Sequence, residues 1–443
     1  MSNPSDRPRK LGPLRLTAGT LRRHLLVYYL ASVTALVLFT FAPQAQPFVL
    51  AELLDIPESE QGVLSGNVAL FAEIVILASI GLWGVVSDRL GRRIVFGAGF
   101  LFMGLGLYLT ASVDSVLELY LYRGVFALGA AAATTMLATV VADYVIDEDR
   151  GKAVGIGGIG NGLGALITVF VLLQLPGFFV GNGSTADEAA RGTYVIAAVV
   201  GFVTAVVLWI GLRARTQAQR DQKKPWTVRA REGFAAGRDP GVALAYAAAF
   251  VSRGDFAIVG TFFTLWVTTY GTTEAGLTTA EALAAGGIVI GVSQGVVLVA
   301  APLFGIIADR LNRVTSVLIA LAVSSIGYGS TILVDDPFSG MIYVSAMLIG
   351  LGEISGLIAS GVLIAQQAPR EIRGSVIGVF SFFGAVGVMT ATGVGGQLFD
   401  NWRPQGPFGL VSVFAAIVFL WVLSIRHRVV PLNEGVAVSA TGQ

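Results

Sequence analysis

Twelve long apolar blocks follow one another along the chain, and short polar or charged breaks separate them. A bilayer core about 30 Å thick is crossed by about 20 apolar residues in a helix, which matches the length of these blocks. They are rich in glycine and alanine and lack the alternating pattern of an outer-membrane barrel strand. The pattern predicts an all-α membrane protein with twelve transmembrane helices, at residues 25–45, 62–86, 93–112, 116–142, 152–175, 192–212, 241–270, 284–307, 314–334, 338–366, 374–397 and 407–425.

Composition agrees with a chain whose main solvent is lipid, since 54% of its 443 residues are hydrophobic, 13% are charged and the mean hydropathy is +0.75. The chain has no cysteine, which excludes disulfides, thiolate chemistry and cysteine metal sites. Its two histidines, His24 and His427, lie beside basic residues at predicted helix ends, where we expect solvated flanking side chains. We therefore expect neither a metal nor a cofactor.

The basic residues indicate how the chain is oriented. All but four of the 29 lysines and arginines lie on one side of the predicted membrane. The exceptions are Arg191 and Arg403, in loops on the other side, and Arg123 and Arg253, within predicted helices. The positive-inside rule then places both termini in the cytoplasm. The paucity of lysine relative to arginine hints at a bacterial genome, so we expect a bacterial inner, or plasma, membrane. A net charge of +1 gives no sign of a nucleic acid partner.

The chain contains an internal repeat. The run from Gly84 to Arg93 recurs in altered form from Gly305 to Arg313, with Asp88 and Asp309 221 positions apart. A second echo, between the segments that begin at Arg150 and Arg373, has an offset of 223 positions. Two matches at nearly one offset indicate duplication. We predict a cytoplasmic segment 1–24, a six-helix bundle 25–212, a basic cytoplasmic linker 213–240, a second bundle 241–428 and a cytoplasmic tail 429–443.

The repeated run resembles the signature of a known family. Gly-x-x-x-Asp-Arg-x-Gly-Arg-Arg after the second helix, its degenerate copy after the eighth and the long basic linker are similar to the major facilitator superfamily over essentially the whole chain. The resemblance implies two pseudo-symmetric six-helix bundles that rock about a site at the membrane midplane. It also implies a charge network in which Asp88 and Arg92 join an acid at the inner end of span four, here Asp143, to hold the two halves together when the cavity faces outward.

The resemblance assigns a gate to a set of residues in and around the two copies. The alternative role for these residues is positive-inside anchoring alone. In the second copy Asn312 stands where the family has glycine, which weakens the expectation there. The gate residues are Gly84, Asp88, Arg89, Gly91, Arg92, Arg93, Asp143, Arg150, Asp309, Arg310 and Arg313.

Ionisable residues near mid-membrane are the candidates for the transport pathway. Each costs roughly 2.5 to 3.5 kcal/mol on insertion scales, so function is the default expectation. The alternative is a structural ion pair, for example between Arg253 and Asp255. Arg123 resembles the family's span-four arginine, which is associated with proton coupling. The polar residues Glu73 and Gln294 each lie fifteen positions before their motif aspartate. The predicted pathway comprises Glu73, Arg123, Arg253, Asp255, Glu353, Gln294 and Asn161.

These features predict a secondary transporter that works as a monomer in the lipid bilayer on a small-molecule solute and protons. Three buried acids against two bases favour proton-coupled export of an amphipathic or cationic compound, as in the twelve-helix drug:proton antiporters. Against that branch, its Gly-Pro pair is missing from span five, where no proline lies between Lys152 and Leu175. The alternatives are a proton symporter or facilitator for an anionic metabolite and, less favoured, a membrane sensor without transport. No catalytic constellation is visible in the sequence, so we do not expect an enzyme.

Overall fold

The computed structural model describes residues 10–214 and 225–429. Its first half contains eight α-helices, and several end where proline or glycine interrupts the apolar rhythm. They are α1 Arg22–Gln44, α2 Gln46–Glu52, α3 Glu58–Leu90, α4 Arg92–Thr110, α5 Val116–Tyr144, α6 Arg150–Phe170, α7 Leu175–Gly181 and α8 Ala186–Gly211.

The second half contains another eight helices. They are α9 Trp226–Ala236, α10 Pro240–Ile258, α11 Thr264–Thr273, α12 Thr279–Arg310, α13 Arg313–Ser330, α14 Gly340–Gln367, α15 Arg373–Asn401 and α16 Gly406–Ile425. Short 3-10 turns follow or precede several of them.

Twelve of these stretches are long and apolar enough to cross a membrane, which confirms the prediction of an all-α protein with twelve spans. Every predicted block has its counterpart, and the helices are mostly longer than the blocks. The second span, predicted at 62–86, runs from Glu58 to Leu90 because its polar flanks continue the helix beyond the apolar core. The small exception to all-α structure is a two-stranded hairpin, β1 Lys10–Leu11 and β2 Leu14–Arg15.

The seventh span is not a regular helix. Between α10 and α11 lies a π-helical segment, Val259–Phe263, so one continuous span changes its winding near its middle. Such segments are rare and are found frequently at functional sites. The irregular turn begins four residues after Asp255, one of the predicted pathway residues.

Contacts divide the chain into two units. Unit 1 contains Met1–Pro57, Phe71–Arg220 and Glu274–Gly291, and unit 2 contains Glu58–Leu70, Asp221–Thr273 and Val292–Gln443. The first turns of α3 belong to unit 2 because Asp400, near the end of α15, accepts hydrogen bonds from the backbone N–H groups of Gly62 and Val63 at 2.9 and 2.6 Å. The start of α12 belongs to unit 1, where Gln174 donates to the carbonyl of Ala284 at 3.2 Å.

Glycine lets neighbouring helices approach closely inside each unit. A Cβ at Gly129 of α5 would collide with the backbone of Gly99 and Met103 in α4. In unit 2, a Cβ at Gly387 of α15 would collide with the carbonyl of Phe250 in α10. Small residues at helix contacts are the usual way in which membrane helices gain packing energy.

Candidate functional site

The first copy of the motif forms a charge network at one end of unit 1. Arg92 donates from Nη1 to Asp88 Oδ1 at 2.7 Å and from Nε to Asp143 Oδ2 at 3.3 Å. The carboxylates come from α3 and α5, and Arg92 lies in the first turn of α4, so one guanidinium joins three helices through charge-assisted bonds. The structure thus brings together the three residues that the resemblance grouped. Their role in gating stays a prediction.

One glycine makes this network possible. Gly91 alone links α3 to α4 and has φ 95° and ψ 151°. That backbone conformation is essentially restricted to glycine. The turn is therefore tight enough to bring the end of α3 and the start of α4 beside one another, where Asp88 and Arg92 meet.

The second copy uses a different turn. Asn312 has φ −59° and ψ 136°, and its side chain accepts a hydrogen bond from the N–H of Val314 at 2.9 Å. It is the N-cap of α13. Arg313 donates to the carbonyl of Ala308, and Arg310 is exposed. The side chain of Asp309 lies outside the part of the chain that the structure describes.

The other predicted gate residues of the first copy lie outside the charge network around Arg92. Arg89 is exposed, Arg93 is half-buried, and a Cβ at Gly84 would meet open space. Arg150 forms an ion pair with Asp147 at 2.8 Å and donates to the carbonyl of Ala142 at 2.8 Å, which fastens the start of α6 to the end of α5.

An N-terminal strap, residues 10–20, contacts the same end of unit 1. Arg15 donates from Nε to Asp149 Oδ2 at 2.8 Å, and this bond raises the pKa of the Arg15 guanidinium. The backbone N–H of Arg15 donates to the same carboxylate at 3.0 Å, and Lys152 pairs with it at 2.9 Å. Leu16 forms a β-bridge with Val145.

The strap also reaches the charge network. The hydroxyl of Thr17 donates to the backbone carbonyl of Asp143 at 2.7 Å, so the strap holds the residue that accepts from Arg92. Sequence reasoning missed Arg15 and Asp149. The available signal was the acidic run Asp147 to Asp149 in a loop predicted to face the basic side of the membrane.

Unit 1 has a buried cationic group among its predicted pathway residues. The guanidinium of Arg123 lies over the ring of Phe126, 5.3 Å from its centroid, and interacts electrostatically with Tyr194 of α8. Its Nε is buried and has no hydrogen-bond partner among the described residues. Glu73 is half-buried in α3.

Asn161 lies in another part of unit 1. Its side-chain oxygen accepts a hydrogen bond from the hydroxyl of Ser32 at 2.9 Å, which joins α6 to α1. This bond gives Asn161 a packing role in addition to the pathway role that the sequence suggested.

Unit 2 has a buried acidic cluster, formed by residues of four helices. Asp255 of α10 is 1% exposed and Glu353 of α14 is 6% exposed, and the two carboxyl groups interact electrostatically. Tyr328 of α13 interacts with both, and the side-chain amide of Gln294 from α12 lies within hydrogen-bonding range of Glu353. The structure therefore brings together three predicted pathway residues and adds Tyr328 and Ser324, which the sequence did not single out.

The acidic cluster lacks the ion pair that the sequence allowed. Arg253 is exposed, whereas Asp255 is buried two residues further along the same helix, because positions i and i+2 face different directions. The hydroxyl of Ser324 lies within hydrogen-bonding range of the Asp255 carboxyl, whereas Oε2 of Glu353 is buried without a hydrogen-bond partner in the described ranges. Buried carboxyl groups that form no ion pair with a base can bind and release a proton.

Known proteins resemble this chain in sequence and in structure. The magnetosome protein MamH of Paramagnetospirillum magneticum is 27% identical over 411 residues, 90% of this chain and 92% of that protein. The multidrug resistance protein MdtG of Yersinia enterocolitica is 27% identical over 187 residues, 41% of this chain and 43% of that protein. The crystal structure of the nucleoside transporter NupG superposes with a TM-score of 0.70 at 14% identity, covering 92% of this chain and 99% of that one.

The family model described as Major Facilitator Superfamily matches residues 27–334 and 283–438, which together span both sequence repeats. The resemblance first drawn from the motif after the second helix therefore extends along the chain. Twelve spans, the duplicated motif and this match agree: the chain belongs to the major facilitator superfamily.

Proposed function

We propose that this secondary transporter of small solutes exports an amphipathic or cationic organic compound in exchange for protons. The observation that supports the exchange most directly is the acidic cluster of unit 2, where Asp255 and Glu353 are buried without a neutralising base. A carboxyl in such a place favours its protonated form until a cation or an opening of the protein stabilises the charge. Protons and a cationic solute can thus alternate in stabilising the cluster.

The direction and the membrane belong to the same proposal. The match to a multidrug resistance protein supports export. The basic residues support a bacterial inner membrane with both termini in the cytoplasm. Proton exchange is assigned to Glu73, Asp255 and Glu353, and the network around Arg92 is assigned to the inner gate.

A second candidate function rests on Arg123. Its buried, unpaired Nε is a donor that suits an anionic solute, and a fixed cation in the membrane interior is costly unless it meets an anion. This favours uptake of an anionic metabolite, by proton symport or without coupling.

Proteoliposomes distinguish these functions independently of the orientation of the protein. Vesicles with a pH-sensitive dye inside are loaded with a tracer solute, cationic or anionic, and diluted into solute-free buffer at equal pH. Solute efflux with acidification of the lumen indicates antiport, efflux with alkalinisation indicates symport, and efflux without a pH change indicates a facilitator.

Variants then identify which acidic residue carries the proton. We expect Asp255→Asn or Glu353→Gln to remove the pH change, while the matched exposed changes Asp335→Asn and Glu274→Gln keep it. Proton exchange that survives in Glu73→Gln, Asp255→Asn and Glu353→Gln alike would show that the assignment of these acids is wrong.

A further inference from the structure

Unit 2 has an open pocket where the linker helix α9 meets α10 and α15. The pocket measures about 380 Å³, which lies within the size range of pockets that bind small molecules. Besides one glycine, its lining consists of three aromatic residues, two alanines and one arginine, namely Phe234, Tyr246, Phe383, Ala243, Ala247 and Arg238. It therefore combines apolar surface with a single charged group.

Helix α9 is held against both neighbours, so the pocket is preformed. The hydroxyl of Tyr246 donates to the carbonyl of Gly233 at 2.8 Å, which joins α10 to α9. A Cβ at Gly233 would collide with the carbonyl of Ser375 in α15, so these two helices are in close contact. Since the Tyr246 hydroxyl already has this partner, Arg238 is the one lining side chain in the described ranges that still offers a polar group.

The aromatic part of the pocket is tightly packed but not covered. The rings of Tyr246 and Phe383 are stacked with centroids 5.1 Å apart, and Phe234 packs against Phe383 at 6.2 Å and Phe382 at 5.8 Å. Phe234 is nevertheless 50% exposed and Phe382 is 38% exposed. Exposed apolar patches of this kind mark sites that contact a membrane or a ligand.

Arg238 gives the pocket a positive charge at the boundary of the membrane span. It lies two positions before Pro240, where the seventh span begins. Its side chain is exposed and forms no ion pair with any residue that the structure describes. Two further exposed arginines, Arg229 and Arg231, lie on α9. An anionic group is therefore the complement of this end of the pocket.

The pocket extends from that boundary into the span. Ala243 and Ala247 lie three and seven positions after Pro240, which is about 5 and 10 Å along α10 at a rise of 1.5 Å per residue. A small soluble anion would contact only Arg238. A molecule with a negative head at the boundary and a hydrocarbon chain at this depth would contact the alanines and the aromatic rings as well, and membrane lipids have that form.

We propose that this pocket binds an anionic phospholipid of the surrounding membrane, with the lipid phosphate at Arg238 and part of one acyl chain against Tyr246 and Phe383. Basic pockets at the ends of membrane helices bind anionic lipid head groups. The apolar lining adds the free energy of removing the chain from water. The bound lipid would fasten α9 to α10 and α15, because all three helices line the pocket.

This site goes beyond the proposed function, since it does not depend on the solute, on the direction of transport or on the residue that carries the proton. Its test needs no transport, so its failure and the failure of proton-coupled export can be told apart.

The first measurement is thermal unfolding of the delipidated full chain in detergent, titrated with phosphatidylglycerol, phosphatidylcholine or glycerol 3-phosphate. We expect phosphatidylglycerol to raise the melting temperature in a saturable way, as a ligand of the folded state does, and the other two to have little effect. Equal responses to both lipids would overturn the recognition of negative charge. A response to glycerol 3-phosphate as large as that to phosphatidylglycerol would overturn the lipid in favour of a soluble anion.

Two exposed arginines provide a matched pair of variants for the head group. Arg238 lines the pocket, whereas Arg370 lies just before α15 and outside the pocket lining. We expect Arg238→Gln to raise the phosphatidylglycerol concentration for half-maximal stabilisation about fivefold, and Arg370→Gln to leave it unchanged. The same midpoint in both variants would contradict the site.

Two alanines test the place of the acyl chain. Ala247→Trp fills the pocket, whereas Ala235→Trp adds the same side chain at an exposed position of α9 outside the lining. Native mass spectrometry counts the phosphatidylglycerol molecules that stay bound to each variant, a readout that does not depend on stability. We expect Ala247→Trp to retain one lipid fewer than Ala235→Trp and the wild type. Equal numbers in all three would overturn the site.

The carboxyl-terminal residues of this chain are the other candidate occupant of the pocket. A chain shortened by residues 430–443 should respond to phosphatidylglycerol at the same midpoint as the full chain. A response that arises only after this shortening would assign the pocket to the tail and overturn the lipid.

Discussion

The turns after α3 and after α12 belong to the two copies of one repeated sequence, yet each connects its two helices in a different way. In unit 1, Gly91 makes the turn with its backbone, and the flanking side chains Asp88 and Arg92 are left to pair with each other and with Asp143. In unit 2, Asn312 uses its own side chain to cap α13. Both copies thus keep a tight turn between two helices, but they differ in the residue that forms the turn and in the hydrogen bonds that it makes.

Exchanging the two turn residues should give the largest effect. We expect Gly91→Asn to destabilise the protein by about 1 to 3 kcal/mol, since its backbone conformation suits only glycine. Asn312→Gly should cost only a few tenths of a kcal/mol, because glycine also serves as an N-cap. Thermal or denaturant unfolding of both variants measures this asymmetry. Equal losses would mean that the two turns are equivalent after all.

Breaking the charge network should have an intermediate effect, on transport more than on stability. Arg92→Gln leaves Asp88 and Asp143 without their shared cation. We expect the transport rate to fall about tenfold, which corresponds to roughly 1.4 kcal/mol lost from one of the alternating states.

Arg89→Gln is the control for this prediction, because it removes an exposed arginine from the last turn of α3, three positions before Arg92. It should transport at nearly the wild-type rate in the vesicle assay. If both variants lose activity to the same extent, transport depends on the positive charge of the first motif copy and not on the charge network.

Loosening the strap should have the smallest effect. Asp149→Asn weakens the contacts with Arg15 and Lys152, and we expect a slightly lower melting temperature and faster protease cleavage between residues 10 and 20. Asp147→Asn changes an exposed acid of the same 3-10 turn and serves as its match. Cleavage at the wild-type rate in Asp149→Asn would show that this contact does not hold the strap.

Much of the fold was predictable because its signals are local. Each span is a run of apolar residues whose length the bilayer dictates, and the first motif lies within one loop. The grouping of Asp88, Arg92 and Asp143 came from the family resemblance that this motif carries.

The buried cluster of unit 2 was only partly predictable, because its members come from four helices. The sequence marks Asp255 and Glu353 as costly charges, but it does not tell which faces of α10, α13 and α14 meet. Ser324 and Tyr328 are ordinary residues of apolar helices until those faces are known. Arg253 is the converse case, since its nearness to Asp255 in sequence suggested a pair that helix geometry prevents.

The strap has a consequence for how the protein is made. Arg15 and Asp149 are 134 residues apart, so at about 5 to 20 residues per second the strap exists for roughly 7 to 27 s before its carboxylate partner is synthesised. During that interval the first four spans enter the membrane while the strap has nowhere to dock. The strap can therefore dock only after the four spans that follow it in sequence have been synthesised, although it is the first part of unit 1 to be made.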